Sequence, residues 1–139
     1  MAVFTSTDSA SPQPGDRVNA KLRRFRTVFA LASQAAGTDQ LRLPVLPAGF
    51  VFAYGVLTST VSLGSAQIAI GASATHASNG KYRAAGVFTV VDTPTLFGAA
   101  AAVGGAPLTA DEQPWMTWAA AALPSSGTLI IDLYGSTAA

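Results

Sequence analysis

From Thr27 onward no run of this chain sustains a helical period; short apolar stretches recur instead, each closed by glycine, proline or a polar turn. In residues 40–45, Leu41, Leu43 and Val45 alternate with Gln40 and Arg42, and Pro44 marks this strand as an edge or an end. Residues 50–63 are rich in aromatic, β-branched and threonine side chains. Strict alternation there puts Phe50, Phe52, Tyr54 and Val56 on one face, with Gly55 signalling a bulge or bend. Gly64-Ser65 turns into residues 66–70, where Ile68 and Ile70 share a side. Asn79-Gly80 is a hairpin signal ahead of residues 81–90. The last two runs, 114–119 and 128–134, are joined by Pro124-Ser125-Ser126-Gly127; Leu129, Ile131 and Leu133 face inward and Asp132 outward. Upstream, Phe25, Thr27, Phe29 and Leu31 share a face of another strand, whereas residues 16–24 fit a helix capped by Asp16 as well as they fit a strand. Residues 119–122 have helical propensity, but the flanking strand and turn argue for an extended path. Seven or eight short strands without an intervening helix predict an all-β antiparallel sandwich or barrel.

The surface of such a domain is short of charge. Half of the 139 residues are hydrophobic and 11% are charged, against about 25% in an ordinary soluble domain. A chain of this size buries roughly two-thirds of its surface, so apolar area is left over, and that usually marks a contact with another protein. A net charge of +1 gives the whole molecule no field for steering toward nucleic acid or a membrane. The absence of cysteine excludes disulfides and thiolate sites. The longest apolar runs fall short of the roughly 20 residues a spanning helix needs, and the N-terminal residues lack the pattern of a secretory signal; the expectation is a protein made in the cytoplasm and kept from membranes. Residues 1–24 read as an extended N-terminal arm carrying a basic segment, and 25–139 as the β-sandwich. Arg17, Lys21, Arg23, Arg24 and Arg26 are five of the eight basic residues. Next to a flexible arm, with only Phe25 interleaved for stacking, they suit an acidic protein surface better than nucleic acid.

Catalysis finds few candidates. His76 is the one histidine; Ser73 and Ser78 flank it, but no Gly-x-Ser-x-Gly elbow is present. One imidazole and no thiol cannot hold zinc. The carboxylates are scattered: Asp111-Glu112 read as a solvated turn, and only an assembly such as Asp92 with Asp132 could form a glycosidase pair. No calcium, phosphate or dinucleotide motif occurs. No cofactor or metal is expected, and no enzymatic activity. Trp115 and Trp118, with Tyr54, Tyr82 and Tyr134, could make a sugar platform, but a spacing of three places the two tryptophans on opposite faces of a strand. The Ala- and Gly-rich residues 97–106 let backbones approach closely and suit a subunit contact, with Phe97, Ala100 and Val103 as its candidates; the run is too short to cross a membrane.

Leu46-Pro47-Ala48-Gly49-Phe50, the long strand with Thr58-Ser59-Thr60, and Ile68-Ala69-Ile70-Gly71 resemble a pattern in small proteins encoded beside the major capsid gene of tailed bacteriophages. The ending Ala122-Leu123-Pro124-Ser125-Ser126-Gly127-Thr128-Leu129, running to Leu133-Tyr134, resembles theirs as well. The resemblance covers roughly residues 40–75 and 107–135 and consists of turns and strands rather than chemical signatures. It implies a head decoration or cement protein: a jelly-roll structural virion protein, commonly a homotrimer, bound to the major capsid protein on the capsid surface. The basic segment and residues 97–106 fall outside the pattern. A receptor- or carbohydrate-binding module, such as a head-fibre or spike base, is the alternative.

Overall fold

The computed structural model describes residues 22–103 and 105–137. Eight strands follow in chain order: β1 (Arg23–Ala30), β2 (Gln40–Arg42), β3 (Phe50–Ser59), β4 (Gln67–Gly71), β5 (Arg83–Val87), β6 (Thr95–Phe97), β7 (Trp115–Ala119) and β8 (Thr128–Thr137). A single helical turn, α1 (Ala100–Val103), lies between β6 and β7, and a 3₁₀ turn at His76–Ser78 lies between β4 and β5. The strands form two four-stranded antiparallel sheets, ordered β1-β8-β3-β6 and β2-β7-β4-β5. The pairings are nested: β1 with β8, β2 with β7, β3 with β6, β4 with β5. One long hairpin, folded between β4 and β5, is thus rolled up and closed by β3–β8 and β7–β4. That is a jelly roll, and the expected all-β antiparallel sandwich is the observed architecture.

The core lies between the inner faces. Leu57, Leu129, Ile131 and Leu133 of the first sheet meet Ile68, Ile70, Met116 and Trp118 of the second, all at most 1% exposed. Each such aliphatic side chain stabilises the fold by about 1.5–3 kcal/mol through burial. Trp118 keeps its indole N–H satisfied by donating it to the Gln34 carbonyl. Trp115 takes the opposite face of β7, under the Arg42 guanidinium at 5.1 Å, as the spacing of three requires. β2 ends before Pro44 and forms a sheet edge. Residues 119–122 end β7 through a left-handed Ala120 and form no helix.

Two local expectations are overturned. Phe50, Phe52, Tyr54 and Val56 do not share a face: the register against β8 shifts between Phe52 and Tyr54. The extra residue of this bulge inverts the alternation, so Phe50 and Phe52 point inward, as do Gly55 and Leu57, while Tyr54 and Val56 point outward. Nor do Asn79 and Gly80 make a two-residue hairpin. Asn79 is extended (φ −86°), whereas a type I′ turn needs positive φ at both central residues; residues 72–82 form a longer loop that crosses the second sheet.

Candidate interaction face

The register of the first sheet fixes which side chains share its outer surface. Arg24 lies beside Tyr134 and Tyr54; Arg26 beside Asp132, Val56 and Leu96; Val28 beside Ile130 and Thr58; Ala30 beside Thr128. The row of Arg26 crosses all four strands. Val28 is 63% and Leu96 70% exposed, and the half-buried Val56 and Ile130 connect them. The rings of Tyr54 and Tyr134 stack at 4.9 Å. The face is therefore apolar over most of its extent.

Its one acid is neutralised in place. Asp132 is outward, as expected, yet only 3% exposed, because its cross-strand neighbours enclose it. Arg26 binds it with two parallel bonds, Nε to Oδ1 at 2.8 Å and Nη2 to Oδ2 at 2.9 Å. The hydrogen bond and the charge of Asp132 hold the Arg26 guanidinium above its ordinary pKa. A planar fork against a carboxylate fixes both side chains along the sheet. Arg26 is thereby engaged within the chain. Arg23 and Arg24 are exposed, and among the described residues neither meets a carboxylate; Arg23 lies 5.8 Å from the Phe25 ring. Arg17, Lys21 and most of the expected arm fall outside the described residues, and β1 begins at Arg23.

The outer face of the second sheet has a cover of its own. Thr117 and Ala69 point outward from β7 and β4 but are 1% and 3% exposed. The loop 72–82 lies over them. Asn79 donates its amide to the Trp115 carbonyl at 3.0 Å and to Thr117 Oγ1 at 3.1 Å. Gly71 is needed beneath: a Cβ there would run into the Asn79 side chain and the backbone of Gly80 and Lys81. His76 Nε2 meets the Asp39 carbonyl at 2.9 Å, so the expected loop histidine is a fastener, with its ring nitrogen spent on backbone. At the loop's end Tyr82 donates to Glu112 Oε1, while Lys81 Nζ binds Glu112 Oε2 at 2.6 Å. Burial first, and this bond second, raise the Tyr82 phenol well above its ordinary pKa.

Asp111-Glu112 is consequently no solvated turn: Glu112 anchors the loop, and Asp111 accepts the Ala48 amide at 2.9 Å. Asp92 sits in the 88–94 connection beside Ser59, three positions along β3 from the row of Asp132, about 10 Å away at strand spacing; the two carboxylates are not a pair. Among the described residues no group of three potential metal ligands comes together, and no helix is long and apolar enough to cross a membrane. Phe97 lies over Gly55, where a Cβ would collide with its ring, and so packs against the core. Ala100 and Val103 lie exposed on α1. A cavity of about 190 Å³ separates this turn from Phe50, Phe52 and Tyr82; the alanines are too small to fill it.

The sequence reading missed Val28, Val56, Leu96 and the tyrosine pair as one surface. Parity along residues 23–30 points to Arg24, Arg26 and Val28 together, but the bulge hides Tyr54 and Val56, and no local signal aligns Leu96 with them.

No family model matches the sequence, and no curated protein matches it. Two solved structures share the fold. A chain of the cyanophage Pam1 capsid asymmetric unit superposes with a TM-score of 0.65 at 14% identity, covering 99% of both chains. A chain of the capsid of Ralstonia phage GP4 superposes with a TM-score of 0.63 at 17% identity, covering 93% of this chain and 91% of that one. At such identities the likeness establishes a common fold, and it extends over nearly the full length of all three chains.

Proposed function

We propose that this chain is a structural virion protein of a bacteriophage, a decoration or cement protein that binds the outside of the capsid and ties major capsid subunits together. The observation that carries the reading is the near full-length correspondence with chains of two phage capsids. The surface supports it. Among the described charged side chains, Arg26, Asp132, Lys81, Glu112, Arg83, Arg42, Asp39 and Asp111 are all engaged within the molecule. What remains outside is mostly small, hydroxylated or apolar, the surface of a protein that works in contact with others.

The activity is binding linkage rather than catalysis. A protein that touches several shell subunits at once adds free energy only to the assembled state, about RT ln(1 + [L]/Kd) per site. A homotrimer multiplies this by raising the effective concentration of its second and third contacts. In this reading residues 1–24 run along the shell, Arg17, Lys21, Arg23 and Arg24 meet acidic capsid residues, and Ala100 and Val103 with neighbouring barrel edges form the contact between copies.

The test mixes purified protein with empty shells and measures co-sedimentation and shell melting temperature. Binding with a raised melting temperature is expected; a protein that stays in the supernatant would end the reading. Deleting residues 1–20 should abolish binding and leave the fold intact. Light scattering on the free protein checks the trimer.

A further inference from the structure

We infer that the outer face of the β1-β8-β3-β6 sheet is itself the docking surface, and that its partner is an apolar protein surface bearing a carboxylate opposite Arg24. The inference deepens the proposed function and rests on it, the partner being the shell subunit.

Three observations converge. First, the two outer faces differ in cover: loop 72–82 covers the centre of the second sheet over Thr117 and Ala69, whereas Val28 and Leu96 stand exposed on the first. Second, the centre of the open face holds no free charge, because Arg26 and Asp132 neutralise each other at 2.8 Å. A partner can therefore cover it without burying an unpaired ion. Third, the charge left at its margin has one sign, since Arg24, in the row of Tyr134 and Tyr54, meets no carboxylate among the described residues.

The same facts argue against a second copy as the occupant. Two such faces would bring arginines together with no acid to meet them. The area is also small. Four strands about 4.8 Å apart, with rows spanning about 20 Å, give roughly 400 Å² a side. Two copies would bury roughly 800 Å² in total, under the roughly 1,000 Å² of a specific interface. A larger partner is not limited to the matching patch and can extend past the edge of the sheet, which gains the missing area.

The experiment compares co-sedimentation with empty shells for the full-length protein and for Leu96→Asp, Val28→Asp and Val87→Asp. Val87 is 54% exposed on the other sheet and serves as the matched control. We expect Leu96→Asp and Val28→Asp to weaken binding about tenfold or more, Val87→Asp to bind as the wild type, and all three to melt with it. Arg24→Glu should weaken binding and flatten its dependence on salt. If the wild type binds and the two face variants bind equally well, the face is not the docking surface, although the proposed function stands. A wild type that does not bind shells removes the proposed function, and this inference with it. If Leu96→Asp lowers the mass of the free protein in light scattering, the face is a contact between copies and the acidic partner is overturned.

Discussion

The two sheets of this barrel solve the same problem in different ways. Each has an inner face buried against the other and an outer face that is poor in charge. On the second sheet the chain doubles back, and loop 72–82 lies over Thr117, Ala69 and Gly71, held by His76, Asn79 and Tyr82. On the first sheet the charge at the centre, among the described residues, is the Arg26–Asp132 pair, and Val28, Val56, Ile130 and Leu96 are left at the surface. A loop cover stabilises a monomer. An ion pair lying flat in an apolar face leaves room for something else to stabilise it. The contrast therefore separates what the fold secures for itself from what it leaves open at the surface.

The contrast is open to direct attack. Asn79→Ala carries the largest expected effect, because it strips hydrogen bonds from the buried Trp115 carbonyl and Thr117 hydroxyl. The loss should be about 2–3 kcal/mol, a fall in Tm of roughly 8–12 °C, read by urea and thermal unfolding. A change as small as that of an open-face variant would show that the loop is no cover. Tyr82→Phe comes next, at about 1 kcal/mol at neutral pH. Because the folded state holds the Tyr82 phenol protonated above its ordinary value, folded and unfolded chains bind the same number of protons there below about pH 10. Above that pH the unfolded chain releases the proton first, so stability falls as pH rises. Wild-type Tm should drop more steeply than that of Tyr82→Phe between about pH 10 and 11. The smallest effects belong to the open face: Val28→Ala and Leu96→Ala should each move stability by less than about 0.5 kcal/mol.

Much of the barrel could be read from residue order. The alternation of Leu129, Ile131 and Leu133, the edge set by Pro44, and the opposite faces of Trp115 and Trp118 all follow from the period of two. What escaped depends on long-range register. Gly55 signals an irregularity in this strand, and the bulge is there, between Phe52 and Tyr54. What the local residues do not show is that it lies ahead of Tyr54 and so turns Tyr54 and Val56 outward, with Gly55 itself under the Phe97 ring. Asn79-Gly80 carries a hairpin composition, but the polar groups offered by β7, some 36 residues away, claim the amide first. Asp132 reads as an outward strand residue and is one, yet its burial depends on Arg26, 106 positions distant. The candidate face was legible only in part for the same reason: Arg24, Arg26 and Val28 at alternate positions are visible locally, whereas the alignment of Leu96 with Asp132 exists only after β6, β3, β8 and β1 are in place.

The nested pairing also bears on when the molecule becomes competent. β8 is a central strand of the first sheet, bonded on one side to β1 and on the other to β3. During synthesis β1 emerges first and stays unpaired until Thr128–Thr137 has left the ribosome. Contacts of such sequence separation make folding slow. They also make it final: a chain broken off before residue 128 lacks the strand that joins Arg26 to Val56 and Leu96. An incomplete product would therefore lack the outer face proposed to dock, and the topology acts as a proofreading step on the protein's own translation.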